Sequence, residues 1–398
     1  MTEFLWVDDL NFFHHLAPNS KLTRKHSFDL LRPNPDSDVK YKKISFFDRT
    51  PPLPSYLHNF SCGVFGVKEY TAKSLKDLKL RIFYRHSYQS RVDWVQERFF
   101  ECLEKAIKFY EEFFGIDYPF QKYDSIFLPD QKYGAMEFPG AVTFKETSLP
   151  TNSQCDSEFA EMARIIFHET AHMWFGNNVT MKWWDDLWLN ESFAEYIAFV
   201  CFEETRKHLS FEAYDAWEKF VQMKEWGYRE DGMPGTHPIL PHIGNTEQAE
   251  SMFDGITYSK GAAVMKQIVS LIGMGKFKQA MQAYFQKFKW KNADINDLFG
   301  CLQEVAQSIE GFPEEVYMDH DCSSEDGGLN EAYNILQWKN DWIHTAGTNV
   351  IRCEWDRAQD LITIHQMPYL AKFPTLRYHK IKVRFPRVKK IRLGSMGS

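Results

Sequence analysis

Two histidines four residues apart constrain this chain more than any other feature. His168 is followed directly by Glu169, then by His172, and after eighteen more residues by Glu191. On a helix, positions four apart lie ~40° apart round the axis and ~6 Å along it, so one face carries both imidazoles. Two imidazole nitrogens and a carboxylate oxygen are a donor set that zinc accepts while keeping one position open for chemistry. Glu169 falls one position round, beside such a metal rather than on it, where a carboxylate can take a proton from water. The spacing predicts His168, His172 and Glu191 as ligands of one zinc ion (Zn2+) and Glu169 as the general base. The five-residue pattern alone is short enough to recur by chance. Requiring a glutamate at one fixed later position makes coincidence about tenfold rarer.

The flanking residues predict the helices that this geometry needs. Ser157 and Glu158 offer a cap and a first-turn acid, Phe159, Met162, Ala163 and Ile166 follow at helical spacing, and Gly176 is the predicted stop. Residues 183–206 read as a second helix carrying Leu187, Glu191 and Tyr196, and the turn at 177–180 folds it back onto the first.

Three segments then carry a resemblance. Residues 168–199 read HETAHMWFGNNVTMKWWDDLWLNESFAEYIAF, Gly134-Ala135-Met136-Glu137-Phe138 precedes them, and Ile256-Thr257-Tyr258-Ser259-Lys260-Gly261-Ala262 follows. In sequence, order and spacing these closely resemble the zinc-binding stretch, exopeptidase motif and catalytic tyrosine segment of the aminopeptidase N-type gluzincins, which include the puromycin-sensitive aminopeptidases. The resemblance runs from about Thr50 to Ile351. It implies an α+β fold: a thermolysin-like zinc metallopeptidase catalytic domain over 85–338, part of an N-terminal β-domain over 1–84, and the start of a C-terminal β-sandwich over 339–398. It implies a zinc-dependent aminopeptidase acting on peptides with a free N-terminus. Gly134, Ala135, Met136 and Glu137 would bind substrate, with Glu137 gripping the α-amine, and Tyr258 would stabilise the oxyanion. Lys260 is read as structural.

Two departures qualify that reading. Phe138 stands where the family usually has Asn, which touches the amide's contact but not the amine grip. The second amine-binding residue that the family takes from its β-domain has no recognisable motif here. Both ends look incomplete against the family pattern, and the helical domain that closes the cleft is expected to be missing. Two other functions stay open: a catalytically weak or inactive scaffold or regulatory relative, and the family branch that joins aminopeptidase to epoxide hydrolase activity. The latter usually has Gly-Gly-Met-Glu-Asn where this chain has Ala135.

Composition narrows the remaining classes. Hydrophobic residues make up 44% and charged residues 25% of 398, with no run long enough to span a membrane. The net charge of −7 argues against general nucleic-acid binding, although residues 372–392 hold nine Lys/Arg and no acid and read as a basic β-segment. Seven scattered cysteines without a C-x-x-C pair predict reduced thiols and a cytoplasmic setting. No secretory leader is read at residues 1–17, which Asp8 and Asp9 interrupt. Residues 319–328 read as a turn-rich acidic insertion. Oligomeric state is not legible.

Overall fold

Leu78, Leu80, Ile82 and Tyr84 alternate with polar residues, and in the computed structural model they form a half-buried strand with Leu80, Ile82 and Tyr84 inside. The structure describes residues 50–152, 155–209, 214–306, 335–356 and 361–370, the residues 358 and 372, and three short strands, Phe28–Asp29, Lys43–Ile44 and Lys390–Ser395. The acidic segment 319–328 and most of the basic stretch 372–392 lie outside the described residues.

Five strands make the main sheet: β1 (Gly66–Ala72), β2 (Leu78–Tyr84), β3 (Lys122–Leu128), β4 (Ala135–Met136) and β5 (Ala141–Lys145). Their order is β1-β2-β3-β5-β4. The two outer pairings are antiparallel, and β2–β3 and β3–β5 are parallel. The β2–β3 crossover is α1 (Gln89–Phe114), as parallel pairing requires. The sheet thus runs across the boundary expected between residues 84 and 85. The short strand β4 lies at its edge, and Glu137 follows it directly.

Further helices pack on one another and, through α1 and α2, on this sheet: α2 (Asp156–Ala171), α3 (Leu187–Thr205), α4 (Ala216–Asp231), α5 (Thr246–Glu250), α6 (Gly261–Ile272), α7 (Met274–Phe288), α8 (Ile295–Ala306) and α9 (Ile335–Trp342). A mixed sheet with helices segregated against it makes the fold α+β. Two strands, β6 (Val179–Met181) and β7 (Lys291–Ala293), pair in parallel, and β8 (Asn349–Asp356) pairs antiparallel with β9 (Leu361–Pro368).

Aromatic side chains supply much of the core beneath α2 and α3. Phe114 lies 4.8 Å from Phe285, Phe175 lies 4.4 Å from Phe193 and 4.7 Å from Phe285, and Tyr110 lies 5.6 Å from Trp174, centroid to centroid. Tyr110 Oη donates to the Phe167 carbonyl at 2.8 Å, Tyr123 Oη meets Thr170 Oγ1 at 3.1 Å, and Trp174 Nε1 donates to the Ile116 carbonyl at 3.0 Å. Their polar tips therefore fix the end of α2 that carries the histidines.

Both predicted limits of α2 need correction. The helix begins at Asp156 after Cys155, which makes no side-chain cap bond, so Ser157 lies inside the first turn. It ends at Ala171, with His172 as its last half-helical residue. Gly176 instead turns the chain at φ +106°, and a Cβ there would stand 2.3 Å from Asn190 Oδ1. The second helix likewise starts later than expected, at Leu187 after a 3-10 turn over Trp184–Asp186.

Candidate metal and active site

α2 and α3 cross so that His168, His172 and Glu191 converge. His172 Nε2 lies 3.0 Å from His168 Nε2, and Glu191 Oε2 lies 3.4 and 3.5 Å from the two nitrogens. Tetrahedral zinc with ordinary bond lengths separates its ligand atoms by about 3.4 Å. The helix stop helps: His172 sits where the chain leaves α2, which frees its ring to turn towards α3.

Each imidazole turns its far nitrogen towards an oxygen. His172 Nδ1 donates to Asn190 Oδ1 at 2.6 Å and faces the Phe175 carbonyl at 3.1 Å. His168 Nδ1 lies 2.9 Å from Glu195 Oε2. With the protons on Nδ1, both Nε2 lone pairs point at the same spot, the tautomer that a metal ligand needs. Glu191 Oε2 is buried there without a hydrogen-bond partner. Two lone pairs and an orphaned carboxylate oxygen around one point fit a divalent cation.

The electrostatics agree. Burial alone would depress both imidazole pKa values, but the surrounding carboxylates outweigh it, holding His168 up at about 9 and His172 at about 10. Burial pushes Glu191 up, yet the two histidines bring it down to about 2. Glu195 is also held below the usual carboxylate range, because Arg164 and His168 outweigh its burial. The site is built to hold positive charge.

Glu169 takes the expected place beside the ligand face. Its side chain is buried, Oε2 has no hydrogen-bond partner, and burial pushes its pKa up to about 8. Glu137, Glu169 and His172 form a second group close enough to share a cation. In that group only His172 is a nitrogen donor.

Tyr258 lies on a π-helical turn, Ile256–Lys260, that leads into α6. Its ring stacks at 6.0 Å on His168 and at 5.9 Å on Trp226. Burial, then the charges of Glu191 and Glu137, raise its pKa, so the phenol keeps its proton. The turn is pinned to α3 by Ser192 Oγ, which donates to the Thr257 carbonyl at 2.5 Å, and a Cβ at Gly261 would stand 1.9 Å from that oxygen. Lys260 points elsewhere, pairing with Asp231 at 2.9 Å, which agrees with its structural reading.

Glu137 is only 4% exposed. Its Oε1 accepts from Asn190 Nδ2 at 3.1 Å, and its carbonyl accepts from Asn177 Nδ2 at 2.7 Å. It lines a cavity of about 480 Å³ with Tyr56, Met136, Glu169, Glu191 and Tyr258. Ala135 also faces this cavity. Gly134 lines an adjoining cavity of about 330 Å³ walled by Tyr133, Trp226, Phe253 and Tyr258. A larger cavity of about 600 Å³ lies behind the Tyr258 turn, between α4, α6 and residues 347–351, and none of the converging groups lines it.

His168, His172, Glu191, Glu169, Tyr258, Ala135, Met136 and Glu137 therefore line one cavity, and Gly134 lines the one adjoining it. Sequence reasoning missed Asn190, Glu195, Arg164 and Tyr56. Glu195 had a signal, since it lies one turn beyond Glu191 on the same helix. Arg164 had one too, lying one turn before His168 and reaching Glu195 at 3.2 Å. Tyr56, whose buried Oη lacks a partner, comes from a loop remote in sequence and had none.

Residues 99–317 match the peptidase family M1 domain, more than half of the chain. The chain is 35% identical over 348 residues to aminopeptidase N of Streptomyces lividans, covering 85% of this chain and 37% of that relative. It is 41% identical over 322 residues to probable aminopeptidase 1 of Saccharolobus solfataricus, covering 75% of this chain and 40% of that relative. Aminopeptidase M1-A of Oryza sativa subsp. japonica is 32% identical over 264 residues, covering 66% and 29%. The chain thus spans well under half the length of the relatives it matches. On the converging histidines and glutamate of the cleft and on this match, the chain belongs to peptidase family M1.

Proposed function

We propose that this chain is the catalytic part of a zinc-dependent aminopeptidase. The observation that carries the reading is the convergence of two Nε2 lone pairs and the orphaned Glu191 oxygen, with a buried carboxylate beside them and another across the cleft. His168, His172 and Glu191 hold the metal. A zinc ion supplies a Lewis acid for the scissile carbonyl and makes water a stronger acid. Glu169 takes the proton from water and delivers it to the leaving amine, a role suited to a buried carboxylate beside the ligand face with one oxygen free of hydrogen bonds. Tyr258, protonated and stacked on His168, donates to the developing oxyanion.

Glu137 grips the free α-amine and so limits cleavage to one residue from the end. The edge strand β4 supports this, because its free side can hydrogen-bond an extended peptide along Gly134, Ala135 and Met136. The thermolysin-like reading of 85–338 belongs to the same proposal, with β1 and β2 added to its sheet. A cytoplasmic setting, read from the cysteine usage, is part of it too. Among the described residues, no helix is long and apolar enough to cross a membrane. A non-catalytic scaffold needs none of this convergence.

The test is a panel of aminoacyl reporter peptides, free and N-acetylated, with and without a chelator. Turnover of free-amine substrates that stops with the chelator and returns with zinc supports the reading. Equal turnover of free and acetylated peptides sinks the exopeptidase assignment.

A further inference from the structure

One side chain joins two parts of the cleft that the mechanism treats separately. Asn190 is 2% exposed, at the start of α3. Its Oδ1 accepts from His172 Nδ1 at 2.6 Å, and its Nδ2 donates to Glu137 Oε1 at 3.1 Å. The amide cannot turn over. A flip would set its NH2 against the Nδ1–H of His172 and its oxygen against the Glu137 carboxylate, replacing two attractions by two repulsions. The His172 proton is fixed independently by the Phe175 carbonyl, and Gly176 leaves the space that Asn190 Oδ1 occupies.

We propose that Asn190 is a positioning residue that fixes the amine-gripping carboxylate relative to the metal-binding imidazole. The proposal rests on the amine-anchor reading of Glu137. A glutamate has three side-chain torsions, and a donor held rigidly at Oε1 removes most of that freedom. The other carboxylate oxygen is then presented to the substrate ammonium at a set distance from the metal. An exopeptidase needs that distance, because it sets how far from the amine the cut falls.

Asn190→Asp separates the two halves of this role. The acceptor for His172 remains, in a side chain of the same shape. The donor becomes a second carboxylate oxygen that repels Glu137. The probes are an aminoacyl phosphonate with a free amine and its N-acetylated counterpart, titrated by calorimetry into the zinc-loaded chain, so that turnover is not required. Zinc content and thermal transition are measured alongside.

The expected result is full zinc content in Asn190→Asp with the preference for the free-amine probe reduced about 10–100-fold. In a Glu137→Ala background the same substitution should change the preference by less than about threefold, since the group it positions is gone. If Asn190→Asp fails to fold, Asn190→Ala serves, because the Phe175 carbonyl still orients His172 while Glu137 loses its donor.

An unchanged preference, an equal weakening of both probes, or a loss that persists at full size without Glu137 overturns the proposal. If the unmutated chain binds both probes equally, the anchor reading fails first and takes this proposal with it. An unmutated preference that survives Asn190→Asp leaves the anchor standing and removes the positioning role alone.

Discussion

His168 and His172 turn their Nε2 atoms towards one another while each Nδ1 faces oxygen, His172 hydrogen-bonded to Asn190 and Phe175 and His168 within ion-pair distance of Glu195. At 3.0 Å the gap between the two nitrogens holds one proton, not two. That geometry leaves one of the two imidazoles neutral, while the surrounding carboxylates favour the proton on the other at neutral pH when no metal is present, so a metal ion must displace it. Zinc binding at pH 7 is expected to release about one proton, and affinity to fall about tenfold for each unit that the pH is lowered. Calorimetry in buffers of different ionisation enthalpy measures this, and no proton release at pH 7 means the imidazoles are already neutral.

Glu169→Gln should keep its zinc and lose about 10²–10⁴-fold in turnover, since an amide cannot accept the proton from water. Glu195→Gln should keep the fold and weaken zinc binding about 10–100-fold, measured by competition with a chelator, because an amide orients His168 less firmly than a carboxylate. The convergence of His168, His172 and Glu191, with Glu169 beside them, was legible in the sequence because a helix converts spacing along the chain into direction. Asn190 and Tyr56 were not, because their partners are set by how α3 and the loop at residue 56 meet other elements.

Among the elements, α3 is buried on every side from Leu187 to Phe202. Such a helix has no polar face for periodicity to reveal, and only its length and flanking turns made it readable. The predicted ends of α2 failed for a related reason. Ser157 is a good cap by type, but Asp156 already lies in the helix. Gly176 is a good stop by type, but it is needed five residues beyond the helix end, where Asn190 crowds the backbone. Gly176→Ala is expected to cost about 1–3 kcal/mol from its positive φ alone. Because the added Cβ displaces Asn190, and with it the adjoining backbone of Glu191, it should also weaken zinc binding. A lowered thermal midpoint in both the zinc-loaded and the zinc-free protein checks the first effect, and chelator competition checks the second. Loss of stability without loss of affinity would mean that Asn190 adjusts freely.

In the whole molecule, the pairing of β2 with β3 decides what can be cut away. The alternation in β2 was plain in the sequence, but its parallel partner lies beyond a 26-residue helix, and no local pattern announces such a partner. A fragment beginning at residue 85 would lose Leu80, Ile82 and Tyr84 from the core and leave β3 with an open edge. Three buried side chains at ~1.5–3 kcal/mol each rival the net stability of a typical domain. That fragment is expected to aggregate and to show no sharp calorimetric transition, unlike the full chain. A monodisperse fragment with a sharp transition would place the sheet's essential contacts elsewhere.

The all-round burial of α3 also divides the cleft into parts that can and cannot vary. Asn190, Glu191 and Glu195 ride on a rod with no free surface, so any change in the cutting chemistry disturbs the whole interior. Other residues that line the cleft, Tyr56, Tyr133, Glu247, Glu250 and Phe253, sit on loops, on the 3-10 turn Ser55–Leu57 and on the short helix α5. On the proposed reading, taste and bite are thus housed separately: one can be rewritten by exchanging rim residues, while the other is inherited whole.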